Sequence, residues 1–252
     1  MQPEPPIIAD AIDTHRRLRK WRPWRSVGVL LALLTLMAFA IVHPRRPGAN
    51  SVCSGLPANG SLREAVSIPH HGVNFSSYST LGWLLGRQHV HSTVYATLID
   101  AQRELARSRP EVHTVFAESG WPFGGRLRPH RTHRNGTSVD IMVPVTRDGV
   151  PVPFPASLSN GFGYAVEFDR QGRYRDYRID YDAMAAQLLA LSRAARRNGT
   201  GIDVVIFDNT LQQQLWQARE GRKLQQAMRF SRTPAWVRHD EHYHVNFAVS
   251  CR

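Results

Sequence analysis

Two short windows of the sequence contain the residues that could do chemistry. Each combines histidine with an acidic side chain, and imidazole and carboxylate are the ligands that zinc takes where no cysteine is present. The residues singled out are His130, His133 and Asp140 in the first window, and His239, His242 and His244 in the second. They predict one metal site built from two distant parts of the chain.

The spacing inside the first window requires a turn. Seven residue steps from His133 to Asp140 would span roughly 23 Å in an extended chain, whereas two ligands of one zinc lie within about 3 to 4 Å of each other. Asn135-Gly136 is the dipeptide best suited to reverse the chain, because both residues tolerate positive φ. The alternating, Val- and Ile-rich segment 138–145 then predicts a strand that holds Asp140.

The second window predicts a strand over 243–249, which places His242 and His244 on one face, about 7 Å apart at Cα. Two arrangements fit this spacing. Both imidazoles bind the metal, or His244 binds while His242 stands beside the open coordination position as a proton acceptor. A catalytic zinc keeps three protein ligands and a water. Because His133, Asp140 and His244 already supply three, the second arrangement is favoured.

These motifs resemble the lysostaphin, D-Ala-D-Ala peptidase and hedgehog group of zinc peptidases, whose signature is His-x6-Asp followed by a distant His-x-His. Within that group the chain is most similar to the penicillin-insensitive murein endopeptidases. The similarity is carried by the segments 123–126, 130–141 and 239–245. It covers roughly residues 80–145 and 200–250 in order, whereas the segment 146–180 contains no motif of the family.

The resemblance implies zinc-dependent hydrolysis of amide bonds in the peptide cross-links of peptidoglycan. By its motif positions, His133, Asp140 and His244 bind zinc. His242 is the general base that accepts a proton from the attacking water. The partner it implies is peptidoglycan.

Three further residues are assigned roles, two of them by the same comparison. His130 and His239 match family positions and are expected to support the ligands or to stabilise the transition state. Arg126, in the Gly-Gly-Arg lead-in to the first window, is a candidate contact for a substrate carboxylate. A structural ion pair is the alternative for this arginine.

Two other classes of function fit the same motifs. A D,D- or L,D-carboxypeptidase acting on peptidoglycan stem peptides would need a cation to grip a terminal carboxylate. A non-enzymatic module that keeps zinc for binding is the other, and the presence of His242 argues against it. A closed structural zinc site is disfavoured, because such sites favour cysteine and no cysteine joins the cluster.

The N-terminal segments predict a membrane anchor. Six basic residues lie in the tail 1–26, and an uncharged run follows from Val27 to Val42. By the positive-inside rule, 1–26 is a cytoplasmic tail, 27–43 a transmembrane helix, 44–52 a linker and 53–252 an extracytoplasmic peptidase domain. This predicts a single-pass protein of the inner membrane with its catalytic domain in the periplasm. Cleavage after the segment Ala38–Ala40 is the alternative, disfavoured by the long tail.

Cys53 and Cys251, the only cysteines, stand at opposite ends of the predicted domain. Because that compartment is oxidising, a disulfide between them is expected. The formal net charge is +12, which suggests an anionic partner. Nucleic acid is a poor candidate outside the cytoplasm, whereas the carboxylates of peptidoglycan stem peptides fit.

Hydrophobic periodicity and the positions of capping and turn residues predict the remaining elements. We expect helices at 92–108 with Ser92 as N-cap, at 181–197 and at 210–219, strands at 112–117 and 202–207, a loop at 120–125, and a hairpin of 164–168 with 173–179. This order predicts an α+β fold, a central largely antiparallel sheet with flanking helices, preceded by one N-terminal transmembrane helix.

Overall fold

The computed structural model describes residues 23–42 and 50–252, apart from positions 234 and 236. The chain divides into two compact units between residues 40 and 41, near the end of helix α1 (Pro23–Val42). Within the described residues no helix has both the length and the hydrophobicity needed to cross a membrane, so the predicted anchor at 27–43 is not confirmed. Positions 1–22 of the predicted tail and 43–49 lie outside the described residues.

The second unit contains five α-helices and fourteen strands within its described residues. The helices are α2 (Thr80–Leu84), α3 (Ser92–Ser108), α4 (Tyr181–Arg197), α5 (Gln212–Gln217) and α6 (Gly221–Ala227), with a 3₁₀ helix at Leu158–Gly163. The strands are β1 (Val52–Leu56), β2 (Asn59–Arg63), β3 (Val66–Ser67), β4 (His71–Gly72), β5 (Phe75–Ser77), β6 (His89–Val90), β7 (Thr114–Phe116), β8 (Ser138–Met142), β9 (Val145–Arg147), β10 (Val150–Val152), β11 (Arg173–Tyr174), β12 (Tyr177–Ile179), β13 (Ile202–Ile206) and β14 (His242–Phe247).

The central sheet has the strand order β13-β14-β8-β7-β5-β4. Every neighbouring pair is antiparallel except β5 with β7. A smaller sheet follows the order β10-β9-β12-β11, and two further sheets have two strands each. The predicted α+β class, with a largely antiparallel sheet and flanking helices, is confirmed.

The register of β8 with β14 separates the core from the polar site. Asp140 is paired with His244, and Ile141 is paired with Tyr243. Since side chains alternate along a strand, the two polar residues share one face and the two large apolar ones share the other. On that second face, the Tyr243 hydroxyl donates to Gln187 Oε1 on α4 at 3.0 Å. Helix α4 therefore packs behind the strands that carry the site.

The two long helices lie where periodicity places them. At the start of α4, the Asp180 side chain accepts a hydrogen bond from the Ala183 amide, as an N-cap does. The N-cap of α3 is His91, not Ser92 as predicted. Ser92 is occupied elsewhere, because its amide donates to the Ser51 hydroxyl and its own hydroxyl accepts from the Ser51 amide.

The predicted hairpin is wrong in its first strand. Segment 164–168 forms no strand, and the hairpin consists of β11 and β12. Just before this segment, three successive residues, 161–163, adopt positive φ. This tight turn takes Tyr164 out of strand geometry and into the polar site. Helix α5 is also shorter than the predicted 210–219, because the chain becomes extended at Ala218.

Candidate metal centre

The Asp140 carboxylate lies at the centre of the site and is fully buried. Both backbone polar groups of Asp140 are hydrogen-bonded to the segment that follows β7. The Asp140 amide donates to the Glu118 carbonyl at 3.0 Å, and the Asp140 carbonyl accepts from the Ala117 amide at 2.8 Å. The carboxylate oxygens face different partners. Oδ1 faces His133 and His244, whereas Oδ2 faces Tyr164, His130 and His242.

His133 presents a lone pair to this carboxylate. Its Nδ1 lies 3.1 Å from the Ser119 carbonyl oxygen, and since a carbonyl only accepts, Nδ1 carries the proton. Nε2 is therefore an acceptor, 3.2 Å from Asp140 Oδ1, and it has no hydrogen-bond partner among the described residues. Two acceptors facing each other inside the protein repel, and a bound cation would resolve the conflict. Burial lowers the pKa of His133, which keeps the imidazole in the neutral form that binds metals.

His244 faces the same oxygen from the other strand. Its Nε2 is 2.8 Å from Asn246 Oδ1, which also accepts from the Ser138 hydroxyl, so Nε2 donates. Its Nδ1 lies 2.8 Å from Asp140 Oδ1, and in the neutral ring it would offer a lone pair to a metal. Two imidazole nitrogens thus converge on one carboxylate oxygen. A metal ligand whose other nitrogen is held by a polar side chain is the usual arrangement for histidine.

His130 also belongs to the group of possible ligands. One ligating atom each from His130, His133 and Asp140 lies within 4.8 Å of the others, so these three residues could hold a metal ion. The sequence assigned His130 to catalysis rather than to ligation. Its Nε2 lies 2.7 Å from Glu118 Oε2, which leaves Nδ1 directed to Asp140 Oδ2 at 3.5 Å. Burial opposes the charged form, but the hydrogen bond with Glu118 and the charges of Asp140 and Glu118 outweigh it and raise the pKa of His130.

Glu118 is a buried carboxylate that the sequence analysis missed. It accepts hydrogen bonds from the Tyr78 hydroxyl at 2.9 Å and from Arg87 Nη2 at 2.8 Å, besides its contact with His130. Burial alone would raise the pKa of Glu118, but the hydrogen bonds and charges of His130 and Arg87 lower it. Glu118 lies two residues after the end of β7, and no local motif marks it, because its partners come from distant positions in the chain.

Tyr164 is the second residue that the sequence analysis missed, in the segment without a motif. Its hydroxyl donates to Asp140 Oδ2 at 3.1 Å and accepts from the Glu118 amide at 3.1 Å. Its ring lies against His130 and His242, with centroid distances of 5.8 and 5.2 Å. Burial and the charge of Asp140 raise the pKa of Tyr164 well above its usual value, so the hydroxyl keeps its proton and orients the carboxylate.

His242 lies on the Oδ2 side of the carboxylate. Its Nδ1 is 2.9 Å from Glu241 Oε1, and its Nε2 is 3.7 Å from Asp140 Oδ2, too far for a hydrogen bond. Burial lowers the pKa of His242 to about 4. A cavity of ≈ 650 Å³ adjoins this ring and is lined by Glu118, Pro129, His130, Gly161, Tyr164, Val237, Arg238, Glu241 and His242.

His239 and Arg126 are placed differently from the ligands. The ring centroid of His239 lies 4.5 Å from that of His242, and its Nδ1 donates a hydrogen bond to the Val237 carbonyl. Burial lowers the pKa of His239 to about 4. Arg126 is exposed and is not among the described residues that line the cavity. The structure thus brings His239 to the site and leaves Arg126 outside the cavity.

The turn between His133 and Asp140 contacts residues at and near the Cys53–Cys251 disulfide. Gly136 has φ +74, and a Cβ there would lie 2.8 Å from the His91 amide nitrogen, so glycine is required. The Asn135 amide donates to the Gly55 carbonyl and contacts Cys251 Sγ. Cys251 is bonded to Cys53, as predicted, across a separation of 198 residues.

Comparison with known proteins adds no identification. No protein-family model matches the chain, and no curated protein matches it. The resemblance to zinc peptidases therefore rests on the motif residues themselves.

Proposed function

We propose that the protein is a zinc metallopeptidase that hydrolyses amide bonds in the peptide cross-links of peptidoglycan. The observation that supports it is the convergence of two imidazole nitrogens, His133 Nε2 and His244 Nδ1, on Oδ1 of a fully buried aspartate. His133, Asp140 and His244 would hold the metal, with His130 Nδ1 also within reach.

The chemistry of the donors favours zinc. Imidazoles with one carboxylate suit zinc or another first-row transition metal, whereas magnesium and calcium prefer oxygen ligands. A bound zinc would polarise the scissile carbonyl and lower the pKa of a coordinated water to near 7.

His242 would move the proton. Its Nδ1 faces Glu241, so Nε2 is free to accept a proton from the attacking water in the adjoining cavity. Its lowered pKa keeps the imidazole neutral and able to accept at neutral pH. The proton at Nε2 would then pass to the leaving amide nitrogen as the peptide bond breaks.

A D,D- or L,D-carboxypeptidase is the second candidate, because the guanidinium of Arg238 lies on the cavity wall. Its guanidinium already faces two carboxylates, Glu167 and Asp240. A cation matched in this way is a poor grip for a terminal carboxylate, so the endopeptidase is favoured.

The substrate lies outside the cytoplasm, and we assign the domain to the periplasm. The basic tail followed by an apolar run, together with the disulfide, supports this location. A reporter fused after Arg252 should be located in the periplasm and show its activity there. Cytoplasmic activity of the fusion would overturn the assignment.

The test of the activity is digestion of purified cross-linked muropeptide dimers by the zinc-loaded full-length protein, with products identified by mass. An endopeptidase converts each dimer into two monomers with the uptake of one water. A carboxypeptidase instead releases a single terminal amino acid and leaves the dimer linked. Dimers of unchanged mass after incubation with fully metal-loaded protein would contradict both activities. A His242→Gln protein serves as the matched inactive control.

A further inference from the structure

We propose that Glu241 is a positioning residue, which holds the His242 imidazole with its proton on Nδ1 and its lone pair on Nε2 turned to the cavity. The consequence for turnover rests on the proposed peptidase function. The orientation and tautomer of the ring do not rest on it.

The contact between the two side chains is short and shielded from water. Glu241 Oε1 lies 2.9 Å from His242 Nδ1, and the two residues are 3% and 2% exposed. A buried hydrogen bond of this kind is not weakened by competing water. Burial raises the pKa of Glu241 to about 7. Above this pH, where the tautomer is to be measured, the ionised carboxylate can only accept, so Nδ1 donates.

The backbone explains how neighbouring residues can meet in this way. Adjacent side chains within a strand point to opposite faces, but β14 begins at His242, and Glu241 stands just before it. The Glu241 carbonyl accepts from the Val143 amide at 3.1 Å, which anchors the entry to the strand. Because Glu241 lies outside the strand, its side chain can lie beside that of His242.

Burial of the Glu241 carboxylate is only partly compensated by hydrogen bonds. Among the residues that the structure describes, Glu241 Oε2 has no hydrogen-bond partner. The adjacent Asp240 is also a buried carboxyl, held by the Phe168 amide at 2.6 Å and by Arg238 Nε at 3.2 Å. A buried acidic oxygen without a donor is unfavourable for the fold. The hydrogen bond between Glu241 Oε1 and His242 Nδ1 offsets part of this cost.

The expected effect follows from fixing the tautomer. A histidine free to carry its proton on Nε2 cannot accept one there, and a carboxylate that holds the imidazole tautomer is the arrangement found beside other catalytic histidines. Removing the acceptor should therefore lower kcat by about 10²-fold, part of the worth of a general base. KM and metal content should change little, because Glu241 contacts neither metal ligand at Asp140 Oδ1.

The experiment compares full-length, zinc-loaded Glu241→Met and Glu241→Gln. Methionine keeps the side-chain length without an oxygen acceptor, whereas the glutamine amide oxygen can still accept from Nδ1. Glu167→Gln is the matched control, since Glu167 pairs with Arg238 near the same cavity but is far more exposed. Nitrogen-15 NMR of the histidine rings gives the tautomer, with the His242 signals assigned by their loss in His242→Gln. Kinetics on muropeptide dimers give kcat and KM.

We expect wild type, Glu167→Gln and Glu241→Gln to carry the His242 proton on Nδ1, and Glu241→Met to lose this preference together with kcat. A wild-type spectrum with the proton on Nε2 would overturn the proposal, whether or not the methionine variant folds. Unchanged kcat in a folded Glu241→Met protein would also overturn it. If the wild type cleaves no muropeptide, the proposed function fails while the NMR result still decides the role of Glu241.

Discussion

His244 lies directly opposite Asp140 on neighbouring antiparallel strands, and its Nδ1 is 2.8 Å from Asp140 Oδ1. His242 precedes it by two positions on the same strand face, and its Nε2 is 3.7 Å from the other oxygen, Oδ2. Two histidines that are two residues apart on one strand thus lie on opposite sides of the same carboxylate. The two histidines therefore face different oxygens, in agreement with the proposed roles of His244 as a metal ligand and His242 as the proton acceptor.

The first prediction separates these two histidines. His244→Ala removes the imidazole nitrogen that faces Asp140 Oδ1, so zinc affinity should fall and turnover should fall with it. His242→Ala should keep about one metal per chain while turnover falls by about 10² to 10⁴, the usual worth of a positioned general base. Metal analysis and muropeptide kinetics on both proteins check this. Equal loss of metal from the two variants would make both histidines ligands.

The long helices and the two chemical windows were predictable from local pattern. Helices α3 and α4 have the predicted bounds, because a helical apolar stripe and its end signals depend only on nearby residues. The Asn135-Gly136 turn was predictable for the same reason, since Gly136 adopts the positive φ that the spacing requires. The disulfide followed from there being two cysteines at opposite ends of one domain.

Tyr164 and Glu118 were not predictable from the sequence. Tyr164 reaches the site because three successive residues before it adopt positive φ, two of them glycine and one of them Phe162. A phenylalanine in that conformation has no sequence signal. Glu118 was missed because its partners, Arg87 and His130, are 31 positions upstream and 12 positions downstream of it and meet it only after folding. Long-range pairing of polar side chains leaves no periodic pattern.

The second prediction concerns Tyr164, whose hydroxyl holds Asp140 Oδ2. Tyr164→Phe keeps the ring but frees the carboxylate to rotate away from its ligating position. Loss of such a supporting contact usually weakens metal affinity or activity by about 10- to 100-fold. Zinc titration should show this for Tyr164→Phe and not for Tyr177→Phe, a control on β12. Equal affinities in the two variants would show that the hydroxyl does not orient Asp140.

A third prediction concerns pH and the stability of the metal-free protein. Burial lowers the pKa of His239 to about 4, from an ordinary value near 6.5. The unfolded chain therefore binds a proton that the folded chain does not, and the stability contributed by neutral His239 is complete above about pH 6.5 and lost as the pH falls toward 4. The stability advantage of the wild type over His239→Gln should shrink by at most about 1.4 kcal/mol per pH unit in this range.

Denaturant unfolding of both proteins in a chelator, between pH 7.5 and pH 4.5, measures this difference. The comparison isolates His239 from the other buried groups, among them His242 and Glu241, because they are present in both proteins. A stability difference that stays constant across the range would contradict the assignment of His239 as a buried neutral imidazole.

The fourth prediction concerns the Cys53–Cys251 bond, which closes 198 residues and adjoins the turn of the metal window through Asn135. On the chain-entropy model such a closure stabilises the fold by roughly 5 kcal/mol at most. The double variant Cys53→Ser, Cys251→Ser should lose a measurable part of this in denaturant unfolding, and reduction of the wild type should do the same. Unchanged unfolding midpoints would show that the bond contributes nothing to the free energy of unfolding.

The metal content of the purified full-length protein tests the central claim most directly. We predict one zinc per chain in the wild type, measured by elemental analysis after dialysis. We predict clear loss of zinc in His133→Ala, whose missing Nε2 is the buried acceptor that faces Asp140 Oδ1 without a hydrogen-bond partner among the described residues. Wild-type protein that binds no transition metal when zinc is supplied, or His133→Ala that binds it equally well, would contradict the account.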